Sequence, residues 1–314
     1  MSNLIFSLNA TLPVFLMMVL GYVLHQVHWI DEKFASALNR FDFRVCLPIL
    51  LYYQLANTDI VKAWDTKYVL FCFLVTLFSI AIVSFISLYI KKRDLRGEFI
   101  QAGYRSSAAI LGIAYISNIY KDASMAPLMI IGAVPLYNIM AVVVLSITDP
   151  LNEKLDRDAL KRTLRGIVTN PIIIGIVVGI VWSLLRLPLP KFYNNFLQRV
   201  GNTATPIGLI AMGASVDLKK VGGQLKNAIV AAALKLVGLE LIFLPIAVAL
   251  GFRTQKLVAI LVMLGSATTV SSFVMAKSMH HEGTLTSNTV MITTILSSFT
   301  LTFWIYMVRS LGLI

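Results

Sequence analysis

Residues 166–186 read GIVTNPIIIGIVVGIVWSLLR, and two properties of this stretch decide the fold. It runs for about twenty residues without a charge before Arg186, and at 1.5 Å rise per residue a helix of that length crosses a hydrocarbon layer of about 30 Å. It also repeats an earlier stretch. Val168-Thr169-Asn170-Pro171 followed by Gly179 matches Ala10-Thr11-Leu12-Pro13 followed by Gly21. Proline and glycine are eight residues apart in both, and the two copies are offset by 158.

Nine further apolar stretches of similar length surround this one. The ten spans are read at about 5–26, 35–56, 67–90, 99–120, 125–147, 166–186, 192–215, 225–249, 255–277 and 287–309. The chain is 58% hydrophobic and 13% charged, against roughly 45–50% and about 25% in soluble domains. A single soluble core cannot absorb that excess, so the fold class expected is an all-α membrane protein. No connection between spans is long enough for a soluble domain. The first span lacks a basic leader and is too long for a cleavable signal, so it is expected to stay.

The offset of 158 carries beyond the first landmark. Leu38 and Arg40 before Pro48-Ile49 in the second span correspond to Leu197 and Arg199 before Pro206-Ile207 in the seventh. Spans three to five fall over spans eight to ten. Five spans per half is an odd number, so the second half enters the membrane from the opposite side, as in transporters with inverted repeats. The organisation expected is a first five-helix repeat over 1–150, a linker over 151–165 and a second, inverted repeat over 166–314.

The formal net charge of +12 is spread over short loops, with no basic patch interleaved with aromatics, so nucleic acid is not an expected partner. Lys and Arg number 14 in the connections after odd spans and 9 on the other side. The positive-inside rule then puts the linker in the cytoplasm and both termini outside. The plasma membrane, a bacterial inner membrane, is the expected location. Cys46 and Cys72 both lie in apolar spans and read as small hydrophobes. His25, His28, His280 and His281 sit near span ends and are not expected to share a metal; no cofactor is expected.

The transport site of such folds lies where discontinuous helices meet near the bilayer midplane. Spans four and nine are the ones interrupted by small and polar residues: Gly103 to Ala114, with Arg105, Ser106, Ser107 and Gly112, and Gly265 to Ser272, with Ser266, Thr268, Thr269, Ser271 and Ser272. Half-helix N-termini there aim N–H groups at an anion, and hydroxyls add donors. The alternative is that small residues only allow close packing. Arg105 suits a carboxylate; its alternative is snorkelling to the headgroups. Asn138 in span five reaches either the crossover or a neighbouring helix. Lys235 and Glu240 lie deep in span eight, where a charge needs a reason. Their i,i+5 spacing sets them about 140° apart on a regular helix, so each is expected to find its partner on another helix. Asp42 and Arg44 read as interfacial and structural.

An enzyme is not supported: there is no HExxH, no pair of buried aspartates and no intramembrane His beside a Ser. A carrier of small organic anions leads. A cation-coupled symporter or antiporter is the alternative, disfavoured by Glu240 being the one deep carboxylate. Expected partners are the organic anion and the lipid bilayer, with a homodimer left open.

The ordered motifs resemble the auxin efflux carrier family, which includes plant auxin carriers and bacterial malate and malonate carriers. They are Leu38-Asn39-Arg40 with Leu47-Pro48, Tyr104-Arg105-Ser106 with Leu111-Gly112-Ile113, Pro135-Leu136-Tyr137-Asn138 with Val142, Asn170-Pro171 with Gly175 and Gly179, Thr205-Pro206 with Leu209 to Gly213, and Val270 to Ala276. The resemblance covers nearly the whole chain and is nearest to the malate- and malonate-carrier-like branch. It implies ten helices in a sodium/proton-antiporter-like fold, broken and crossing helices four and nine, and export or exchange of small carboxylates. The chain departs from the family at the crossover. Ser107 stands where relatives usually carry Asn, and Ala114 and Ala267 stand where they carry Pro.

Overall fold

The computed structural model describes residue 13 and residues 16–57, 64–108, 119, 126–151, 165, 168–215 and 218–314. The described residues are helical and contain no strand. In chain order the helices are α1 (Leu16–Gln26), α2 (Glu32–Phe41), α3 (Leu47–Ala56), α4 (Thr66–Ser87), α5 (Arg93–Tyr104), α6 (Ala126–Ile147), α7 (Pro171–Leu184), α8 (Lys191–Asn202), α9 (Ala204–Ala214), α10 (Leu218–Ala233), α11 (Leu239–Ala249), α12 (Thr254–Gly265), α13 (Ser271–Ser278) and α14 (Thr284–Ser310). A π-turn over Asp42–Cys46 joins α2 to α3, and another over Leu234–Gly238 joins α10 to α11. Gly112, Ala114 and most of the 151–165 linker lie outside the described residues.

Among the described residues, four helical runs are long and apolar enough to cross a membrane: Thr66–Ser87, Met129–Ile147, Gln224–Ala249 and Thr284–Ser310. Their surfaces are arranged for lipid. On α4, Leu70, Phe73, Leu74, Leu77, Phe78 and Phe85 form an exposed stripe at helical spacing. Its buried face carries Thr76 and Ser79, which donate to Cys72 O and Val75 O at 2.7 Å each. Bonding back to the preceding turn satisfies each hydroxyl without a partner helix. On α14 the contrast is stronger: Thr286, Asn288, Thr289, Thr293 and Ser297 are buried, while Leu296, Phe299, Phe303 and Tyr306 are exposed. Apolar residues outside and hydroxyls inside suit a bilayer and not water.

Starts and close crossings follow from local sequence. Asn170 caps α7 by accepting from Ile172 N at 2.9 Å, with Pro171 preset for the first turn. Gly175 and Gly179 let α7 press on α3: a Cβ on Gly175 would stand 2.6 Å from Pro48 O. On the other side Gly21 lets α1 press on α9, where a Cβ would stand 2.3 Å from Ile210 O. Small residues at these points permit backbone contact that lipid-facing chains elsewhere prevent.

Candidate functional site

Two helices, α5 and α12, end in extended backbone. α5 ends at Tyr104, after which Arg105 is extended (φ −74°, ψ 133°). α12 ends at Gly265, after which Ser266 is extended (φ −70°, ψ 159°), and α13 resumes at Ser271. The two extended pieces meet directly, Ser107 N donating to Ala267 O at 2.9 Å.

A helix end inside a membrane leaves carbonyls without donors. Here each extended piece supplies a hydroxyl to the last turn of the opposite helix. Ser106 Oγ donates to Met263 O on α12, and Thr268 Oγ1 donates to Ala102 O on α5 at 2.8 Å. Tyr137 Oη from α6 adds a second donor to Met263 O at 3.2 Å. Hydroxyls thus satisfy the carbonyls at both helix ends.

Arg105 is 1% exposed and is held by neutral groups from three elements. Its Nη2 donates to Asn138 Oδ1 and Ser271 Oγ, both at 2.8 Å, and its Nη1 to Gln101 Oε1 at 3.3 Å and Met275 Sδ at 3.0 Å. Asn138 is itself fixed by donating to Val134 O at 2.9 Å, and Gln101 by donating to Ser272 O at 3.0 Å. Nε has no partner. Snorkelling is therefore not what this side chain does: its head is buried and fixed.

Arg105 lines an open cleft of about 730 Å³ together with Ser106, Ser107, Asn138, Thr269 and Ser271, among others. Six of the sequence-predicted site residues thus share one space. Ser266, Thr268 and Ser272 do not reach it. Thr268 is committed to the α5 end and, through its N–H, to Thr293 Oγ1 at 3.0 Å; Ser266 and Ser272 are fully buried beside the break.

Two expectations need correction. Asp42 is not interfacial: it is 1% exposed and lines the cleft, with both carboxylate oxygens lacking a hydrogen-bond donor. Lys235 and Glu240 do not diverge by 140°. Across the π-turn Leu239 N bonds to Leu234 O, so residues five apart come onto one face. Lys235 Nζ donates to Leu264 O. Glu240 lies against the next residue, its Oε1 1.9 Å from where a Gly265 Cβ would stand. Both heads face the end of α12 from behind the cleft.

Sequence reasoning also passed over Gln101, Tyr137 and Met275. Nothing distinguishes them from ordinary helix residues until the fold brings them to Arg105 or to the α12 end. Asp42 did give a signal, a carboxylate ahead of Pro48 within an apolar span. Two of the histidines are engaged elsewhere: His281 contacts Asp94 O and Leu145 O, both at 3.0 Å, and His280 contacts Asp149 at 3.3 Å.

A family model described as membrane transport protein matches residues 6–305. No curated protein matches the chain. The chain belongs to this auxin efflux carrier-type family of membrane transporters.

Proposed function

We propose that this member of the membrane transport protein family carries small organic anions, carboxylates such as malate, malonate or auxin-like acids, by alternating access. The observation that carries the reading is Arg105: a buried guanidinium in an open cleft, fixed by neutral groups and paired with no carboxylate. Burying a cation without a counter-charge costs several kcal/mol, and a substrate carboxylate entering the cleft removes that cost. A guanidinium fork prefers a planar carboxylate.

Alternating access needs two parts that can rock, and the inverted-repeat reading is supported by reciprocal contacts. Gly21 packs on Ile210 and Gly179 on Tyr52; the two contacts correspond, Gly179 lying 158 residues after Gly21 and Ile210 lying 158 after Tyr52. Ala102 and Met263, which receive the reciprocal hydroxyls, differ by 161. We read ten spans, the cytoplasmic linker and outward termini in the cell membrane on the same basis.

The test is a flux and binding series of mono- and dicarboxylates on purified protein in liposomes, beside Arg105→Gln. Saturable carboxylate binding that R105Q removes is the expected result. Binding of a cation with no organic anion sinks the reading. A cation-coupled carrier is the second reading, favoured by two buried carboxylates without donors, Asp42 and Glu240, where the sequence offered one.

A further inference from the structure

The cleft contains a basic and an acidic side chain that do not meet. Among its lining residues the charged ones are Arg105 and Asp42, each 1% exposed. No ion pair joins them among the described residues. Arg105 is surrounded by neutral acceptors and keeps Nε unpartnered; Asp42 has no donor at either oxygen.

The position of Asp42 is fixed by the fold. Its π-turn sets Oδ2 over Gly208 in α9, where a Cβ would stand 2.9 Å from Oδ2 and 3.0 Å from Val270 Cγ1. Val270 precedes Ser271, whose Oγ receives Arg105 Nη2 at 2.8 Å. Both charged heads therefore border the Val270–Ser271 step that opens α13.

Charge complementarity selects among carboxylates. An ammonium brought to Asp42 favours its ionised form, whereas a simple monocarboxylate satisfies Arg105 and gives an ionised Asp42 a like charge. A dicarboxylate sets its second anion in the same space as Asp42, which is worse, since like charges at close range in a buried site are strongly unfavourable. A molecule with one carboxylate and one protonated amine supplies a partner to each side and enters with no net charge. Each unpaired buried charge is then compensated, the condition under which buried charges are tolerated.

Resting on Arg105 as the carboxylate site of the carrier reading above, and replacing its anions with a molecule of no net charge, we propose that the cargo is an amino-acid-like zwitterion, its carboxylate held by Arg105 and its ammonium by Asp42.

The test uses the full-length protein in liposomes and neutral amino acids from glycine to leucine, each beside its deaminated acid and its α-hydroxy acid. The expected result is at least tenfold tighter binding of an amino acid than of its deaminated acid, with Asp42→Asn collapsing that ratio toward one. Should D42N fail to fold, the wild-type ratio decides alone. Deaminated acids that bind as tightly as the amino acids, or a ratio that D42N leaves unchanged, overturn the inference while the carrier reading stands. Uptake of plain acids with acidification of the lumen does the same, since Asp42 then carries a proton. If no carboxylate of any kind binds, the inference and the carrier reading fall together.

Discussion

Asp42 and the Lys235–Glu240 pair occupy the same kind of place with opposite surroundings. Each sits at a π-turn that interrupts an apolar helix, Asp42–Cys46 and Leu234–Gly238. Each presses a carboxylate on a glycine, Gly208 in α9 for Asp42 and Gly265 at the end of α12 for Glu240. The extra residue of a π-turn re-aims side chains, which is why such turns recur at functional sites. What differs is the space in front. Asp42 opens on the cleft, whereas Lys235 bonds Leu264 O and Glu240 lies against Gly265, both at the end of α12 and outside the cleft lining. A buried charge facing open space waits for a ligand; two opposite ones facing a helix end brace it.

That distinction breaks most easily at Glu240. Replacing it alone, Glu240→Leu, leaves the Lys235 ammonium buried with a backbone carbonyl as its partner, and breaking a buried pair costs about 3–5 kcal/mol. The expected outcome is a large fall in thermal unfolding temperature in micelles. The Lys235→Met/Glu240→Leu double variant should recover most of it, since apolar replacement of a whole pair is often neutral. If E240L unfolds like wild type yet fails to transport, the rear pair is functional and the contrast with Asp42 is wrong.

Arg105→Lys tests the cleft side. It keeps the charge and loses the fork that reaches Asn138, Ser271 and Gln101 together, and Arg and Lys are not interchangeable at such sites. Losing a hydrogen bond to a charged group is worth about 1.5–3 kcal/mol, so carboxylate affinity should fall roughly ten- to hundredfold, with a smaller change in unfolding temperature than E240L gives. Equal affinity in titration calorimetry would mean that Arg105 acts as a bare charge.

The glycines sharpen the contrast further. Gly265→Ala places a methyl 1.9 Å from Glu240 Oε1, and Gly208→Ala places one 2.9 Å from Asp42 Oδ2. Overpacking a tight interior costs about 1–3 kcal/mol. G265A is expected to take that cost as lost stability, because Glu240 has no open space to enter. G208A is expected to keep most of its stability and weaken binding, because Asp42 can shift into the cleft. Unfolding and binding curves on both variants should move in this opposite pattern.

The parts legible in the sequence are those set by local chemistry. Asn170-Pro171 foretold the start of α7, and the Gly265 to Ser272 run foretold where α12 stops and α13 resumes. Six residues of the cleft were found because small polar residues in an apolar span are visible as exceptions. The π-turns were not legible: a hydrophobic pattern counted at 3.6 residues per turn does not register one inserted residue, so Lys235 and Glu240 were placed on different faces. The donors at the two helix ends, Ser106 for Met263 O and Thr268 for Ala102 O, are more than 150 residues from their acceptors. No local rule connects such pairs.

The smallest effect expected is at the other end of α12, where charge is exposed. Lys256, in the first turn, bonds Asp65, which also caps α4 by accepting from Tyr68 N at 3.0 Å. The ammonium of Lys256, and after it the Tyr68 N–H, hold the Asp65 carboxyl below its ordinary value. A carboxyl lowered in the folded state adds stability that is complete above its unfolded value of about 4 and is lost as the pH falls through the folded one. Asp65→Asn keeps a capping oxygen and removes the charge. With side chains 36% and 30% exposed, such a pair is worth about 0.2–1 kcal/mol. The unfolding temperature of D65N should therefore lie slightly below wild type at neutral pH and low salt, with the gap closing both in about 1 M salt, where screening extends only some 3 Å, and in acid. E240L should keep its deficit in high salt, because ions do not reach the closed end of α12. If salt erases both deficits equally, the rear pair is as solvated as the exposed one and cannot brace the break.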